Sequence, residues 1–123
     1  MLEFRCDTPN FCPDQGGGGG ASSEINITPS GIEHVVSGHT PGGAEAAGNC
    51  TFLRSLGQGD IENLIRNAAS APARRQPNGN YARVVTADQT VGYDVVTQLF
   101  TDTYTGITDA AGNLVTAHPG LPD

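Results

Sequence analysis

The chain has 123 residues, enough for one hydrophobic core of ordinary size and too few for two. Thirteen acids stand against six arginines and no lysine, a net charge of -7, so a broad cationic face of the kind that tracks nucleic acid is excluded. One or two arginines on a phosphate, or a basic protein partner, remain compatible with that balance.

In chain order, the first feature is the run GGGGG at 16–20, followed by ASSE. Five glycines cannot hold a helix or strand against their conformational entropy, so residues 1–24 read as a flexible linker and 25–123 as the folded unit. The opening MLEFRCDTPN lacks the apolar stretch of a signal peptide, and no later run is long enough to cross a bilayer. Cys6, Cys12 and Cys50 are an odd number without a CxxC pair. A Cys6–Cys12 bridge is one option, and Cys50, beside Phe52, reads as a core thiol.

The segment TPSGIEHVVSG predicts a short helix capped by Ser30, with Glu33 completing a capping box and Gly38 ending it. GDIENLIRNAASA predicts a second helix, capped by Asp60 and stopped before Pro72, in which Ile61, Leu64, Ile65 and Ala68 recur at helical period and face a sheet. APARRQPNGN reads as a loop with an Asn-Gly turn; its Arg74 and Arg75 are candidates for phosphate contact. Beyond Tyr81 the segments YARVV, TVGYDVVTQLF, TYTGITD and NLVTAH are rich in Val, Thr and Tyr and predict an antiparallel meander. Helices first and sheet second make an α+β domain, with N-terminal helices packed on a C-terminal antiparallel sheet.

Three histidines carry the candidate chemistry. His34 and His39 are five apart, which on a continuous helix separates them by about 140° and fails the spacing of a helical zinc pair. A chain leaving the helix at Gly38 would turn His39 back toward His34, and two facing imidazoles can serve as general base and general acid. The Gly42–Gly43 pair could bring backbone amides to an anion. In LVTAHPG, Thr116 and His118 share one side of a strand, where a hydroxyl and an imidazole can hold a phosphate and exchange protons. Arg83 could neutralise a phosphate or face solvent, and Tyr93 and Tyr104 could stack a base, although core packing is the commoner role for each.

Taken together, the run GIEHVVSGH-TPGG, then CTF, DIENLIRNA, an Asn-Gly turn, VGYDVV and AAGNLVTAHPG resembles the bacterial EndoU-type nuclease domains at the C-termini of polymorphic and contact-dependent toxins. That group is similar to a wider set of barnase, colicin and RelE-type ribonucleases, and the likeness runs from about Ile27 to Leu121. The resemblance implies a BECR-like ribonuclease fold. The implied activity is metal-independent cleavage of RNA, often tRNA, by transfer to the 2'-hydroxyl, leaving a 2',3'-cyclic phosphate. It implies His34, His39, Thr116 and His118 as catalytic residues and Arg74, Arg75, Arg83 and Tyr104 as substrate contacts, with no metal and no cofactor.

It further implies a larger carrier polypeptide, export or cell-surface delivery with action in a target-cell cytoplasm, and a cognate immunity protein. The chain departs from the pattern in having no lysine, and His118 stands where the family commonly has tyrosine. The cleft is therefore expected to be neutral or locally positive, near Arg74, Arg75 or Arg83. The competing readings are a metal-dependent DNase toxin and a non-enzymatic partner-binding module.

Overall fold

A computed structural model describes residues 24–122 of the protein, so the glycine-rich linker segment and the Cys6–Cys12 option lie outside the described residues. The architecture is α+β, with two helices and two antiparallel sheets. Among the described residues, no helix is long and apolar enough to cross a membrane.

Helix α1 spans Pro29–His39. Its cap is Thr28, not Ser30: the Thr28 hydroxyl accepts from the Gly31 N–H at 3.0 Å, and Pro29 fits the first helical position because no partner is needed there for an N–H. Gly38 lies inside the helix instead of ending it, and Thr40 leaves in an extended conformation. Helix α2 spans Gln58–Ala68 and begins two residues before the expected Asp60 cap. Asp60 sits in the first turn, where its carboxylate accepts from the Gly57 N–H at 3.0 Å and faces the positive end of the helix dipole. The predicted stripe is buried at Ile61, Ile65 and Ala68, with Leu64 partly buried beside them.

The strands are β1 (Thr51–Phe52), β2 (Arg74–Arg75), β3 (Tyr81–Thr86), β4 (Gly92–Asp94), β5 (Leu99–Thr101), β6 (Thr103–Thr108) and β7 (Leu114–Pro119). They divide into a four-stranded sheet ordered β2-β3-β6-β7 and a three-stranded sheet ordered β1-β4-β5. The expected single meander is therefore interrupted. The segment TVGYDVVTQLF folds on itself as a hairpin, because Asp94 accepts the Val96 N–H on its carboxylate at 2.9 Å and the Gln98 N–H on its carbonyl at 2.7 Å. This local capping by an Asp side chain makes a turn without glycine or proline. The Arg74–Arg75 loop is likewise a hairpin arm, paired with β3 and closed by the predicted Asn-Gly turn.

Pairing fixes which side chains share a face. Val85, Tyr104 and Pro119 stand in one cross-strand row and Arg83, Gly106 and Ala117 in the next, all on the face that meets Ala68 of α2. Val84, Thr105 and His118, and then Arg74, Ala82, Ile107 and Thr116, occupy the opposite face. The core on the α2 side joins Val35, Phe52, Ile61, Ile65, Val91, Tyr104 and Leu114, with about 1.5–3 kcal/mol from burying each large apolar side chain. Helix α1 runs alongside β7 in the same direction, with Gly31 against the Leu114 carbonyl at one end and His39 beside His118 at the other.

Candidate functional site

Because α1 continues through Gly38, His34 and His39 lie five apart on one unbroken helix. Their rings nevertheless approach to 5.9 Å between centroids, with planes tilted by 54°. The expectation that only a break at Gly38 could bring them together is corrected. An angular offset of about 140° leaves a shared sector between the two positions, and both side chains lean into it.

The third histidine arrives from β7. His118 lies with its ring centroid 5.6 Å from that of His39, so the three imidazoles form a row ordered His34, His39, His118. His34 is exposed, whereas His39 and His118 are both 0% exposed. The row thus runs from the surface inward.

Two carbonyl oxygens orient the inner pair. His39 Nδ1 lies 2.7 Å from the Cys50 carbonyl and His118 Nδ1 lies 2.7 Å from the Pro119 carbonyl. A carbonyl can only accept, so each Nδ1 carries a proton, and in the neutral ring the lone pair is on Nε2. This tautomer leaves Nε2 as the atom able to take a proton.

Thr116 lies two residues before His118 on the same face of β7, as predicted. Its hydroxyl oxygen is buried and has no hydrogen-bond partner among the described residues. Such an atom costs about 1–3 kcal/mol, which asks for a compensating role such as a bound group. Gln76, at the β2–β3 turn, shows the same feature: the residue is 1% exposed and neither side-chain amide atom has a hydrogen-bond partner among the described residues. Nothing in the sequence singled it out, because a glutamine before Pro-Asn-Gly reads as a solvated turn residue.

The remaining candidates are not gathered at this row. Arg83 is buried on the α2 face, donates to Thr108 Oγ1 at 3.4 Å, and has its guanidinium pKa lowered by desolvation. The sheet separates it from His118 and Thr116. Tyr104 is a core side chain, the commoner of the two roles expected for it, and not the substrate contact that the resemblance implies: its hydroxyl donates to the Leu64 carbonyl at 2.7 Å and burial raises its phenol pKa. Arg74 and Arg75 are exposed, and Arg74 shares a cross-strand row with Thr116 at three strand spacings, about 14 Å. Tyr93 packs edge-on to Phe100 at 5.2 Å. The Gly43 amide is used within its own turn, donating to the Thr40 carbonyl at 3.0 Å, and is not presented to an anion.

His34 opens on a cleft of about 510 Å³ that includes Ser30, Asp109, Asn113 and Val115. Hydrogen bonds from Asn113, with others from Ala111 and Gly112, hold the Asp109 carboxyl below its usual pKa, and no arginine lies among the described lining residues. The expectation of a neutral or positive cleft near Arg74, Arg75 or Arg83 is therefore not met at this cleft, which carries Asp109 and none of those arginines.

Among the described residues, no group of three or more His, Cys, Asp and Glu side chains is arranged to hold a metal ion. Cys50 is fully buried and disulfide-bonded, which replaces the core-thiol reading. Compared with known proteins, the chain matches no family model, no curated protein and no solved structure.

Proposed function

We propose that the protein is an RNA-cleaving toxin domain, an endoribonuclease that works by metal-independent transfer to the ribose 2'-hydroxyl. The observation that carries this reading is the convergence of His34, His39 and His118 from a helix and a distant strand into one row. Thr116, two residues before His118 on the same face of β7, has a buried hydroxyl that would donate to a phosphoryl oxygen once uncovered by substrate binding. A BECR-like fold is part of the same proposal.

In this mechanism one imidazole takes the proton of the 2'-hydroxyl as O2' attacks phosphorus. A second, protonated imidazole, buried in this structure and so uncovered on substrate binding, gives its proton to the departing 5'-oxygen. The products are a 2',3'-cyclic phosphate and a free 5'-hydroxyl. His34, the exposed member, meets the substrate first, while the carbonyl contacts at His39 and His118 keep the inner rings oriented. With nine acids against five arginines in residues 25–123, the acidic domain would be neutralised by an immunity protein with a basic face. The disulfide at Cys50 suits a protein that passes through an oxidising compartment on the way from producer to target.

The test is incubation of the purified protein with total RNA in excess EDTA, followed by analysis of the new ends. Cyclic phosphate termini are expected, and His34→Ala should slow cleavage by about 10²–10⁴-fold, the usual worth of an acid or base. RNA left intact, or cleavage abolished by the chelator, rejects the mechanism. Full burial of His39 and His118 favours a second reading, a non-enzymatic partner-binding module with a structural histidine pair. In that case His34→Ala leaves biological activity unchanged, and His118→Ala acts only through stability.

A further inference from the structure

The β4–β5 hairpin presents an apolar tip and edge that the fold itself does not use. Val96, Leu99 and Phe100 are 59%, 65% and 66% exposed, three adjacent members of the five exposed large apolar residues described. Among the described residues β5 has one strand neighbour, β4, so its other edge is open to pairing. Soluble proteins blunt such an edge with lysine, proline or a bulge, and none of these occurs between Gly92 and Thr101. Phe100 is also held in place, its ring 5.2 Å from that of Tyr93 in an edge-on arrangement, so docking against it loses little side-chain freedom.

Charge identifies the occupant. From residue 84 to the C-terminus the chain has five aspartates and no arginine or lysine. Asp102 directly follows β5 and Asp88 lies in the turn before β4; both are exposed. A second copy of the chain would bring these acids against one another, which disfavours self-pairing. A basic chain would meet them favourably.

We propose that the outer edge of β5 is a docking site for a basic partner protein that adds a strand to the three-stranded sheet. Backbone hydrogen bonds to the edge supply affinity, alternate apolar side chains cover Leu99 and Phe100, and flanking Lys or Arg residues face Asp88 and Asp102. The surface lies on a different sheet from the His118 strand, and the proposal stands whether or not the histidine row cleaves RNA.

The test uses a display library of random linear peptides, selected on the disulfide-intact protein. Enriched peptides are expected to alternate apolar β-formers with Lys or Arg, to bind more weakly as salt rises, and to slow amide exchange at Leu99–Thr101. Leu99→Ser with Phe100→Ser should weaken their binding by about thirtyfold, the size of a hot-spot truncation, and Asp102→Asn should weaken it to a lesser degree. All three positions are exposed, so circular dichroism should match that of the parent. The proposal is overturned if the selected peptides are neutral or acidic, if they bind the Ser variant as tightly as the parent, if no peptide depends on the hairpin, or if sedimentation shows a dimer that Leu99→Ser dissociates.

Discussion

Replacing Gly31 with alanine sets two effects of opposite sign against each other. Alanine is favoured over glycine inside a helix by about 1 kcal/mol, so an isolated α1 would gain stability. In the folded protein, however, the added Cβ would lie 2.9 Å from Thr28 Oγ1 and 3.0 Å from the Leu114 carbonyl carbon, and closer still to that carbonyl's oxygen. Two of these three atoms are backbone and cannot rotate away. Contacts between carbon and carbonyl oxygen relax only beyond about 3.3 Å, so α1 must move off β7 by several tenths of an ångström or more.

Forcing an extra carbon into a packed contact costs about 1–3 kcal/mol. Subtracting the helical gain leaves a net loss of roughly 0–2 kcal/mol, so packing offsets or outweighs the propensity term. For a domain of about this size the melting temperature should fall by up to about 16 °C, at 4–8 °C or so per kcal/mol. Gly59→Ala is the matched control: Gly59 lies in the first turn of α2, is exposed, and has nothing within 4 Å of its would-be Cβ. That variant should melt at the same temperature or a few degrees higher. Thermal melts by circular dichroism decide the matter. If Gly31→Ala melts as high as Gly59→Ala, the close packing of α1 on the Leu114 carbonyl of β7 is refuted.

Other perturbations act at single contacts. Tyr104→Phe removes the donor to the Leu64 carbonyl and should cost about 1–2 kcal/mol in urea unfolding; an unchanged midpoint would mean that the hydroxyl does not tie β6 to α2. The Asp109 carboxyl, whose pKa is lowered chiefly by the Asn113 N–H, contributes stability that is fully present above its unfolded value near 4. This contribution is lost as pH falls through the depressed folded value. Asp109→Asn should therefore be less stable than the parent at pH 6, with the gap closing toward pH 2; a gap constant across that range would show that the charge is not what holds the β6–β7 turn.

Parts of this fold are legible because local and tertiary demands agree. The Ile61, Leu64, Ile65, Ala68 stripe encodes both the period of α2 and the face that buries, so the sheet it packs on had only to supply a flat apolar surface. The turn at Val95–Gln98 is illegible for the opposite reason. Its residues are strand-formers, Gln98 takes a left-handed φ of 62°, and the chain reverses because Asp94 captures two N–H groups, a tertiary-like event within six residues. Gly38 misleads in the same way: glycine marks a helix end only where the chain can leave, and here the Asn49 amide donates to the Gly38 carbonyl at 3.0 Å while Thr40 caps Val36. The approach of His118 to His39 carries no signature in spacing, since it depends on α1 lying along β7. The identity of each histidine as a candidate was visible, whereas the order of the row and the burial of its inner members were not.

Cys50 joins these threads. Its carbonyl holds His39 Nδ1, its sulfur accepts the Val95 N–H at 3.4 Å beside the hairpin turn, and the next two residues form β1. The proposed route, through an oxidising space into a reducing cytoplasm, requires the site to persist after the disulfide opens. The geometry allows this, because the carbonyl that orients His39 is positioned by β1 pairing with β4 and by burial of Phe52, neither of which needs the sulfur bridge. Reduction should then lower stability by about 2–4 kcal/mol while leaving the proton of His39 on Nδ1. Imidazole nitrogen shifts measured by NMR before and after reduction report the tautomer directly. A switch to the Nε2 proton in a protein that is still folded would show that the disulfide, not the sheet, sets the inner end of the histidine row.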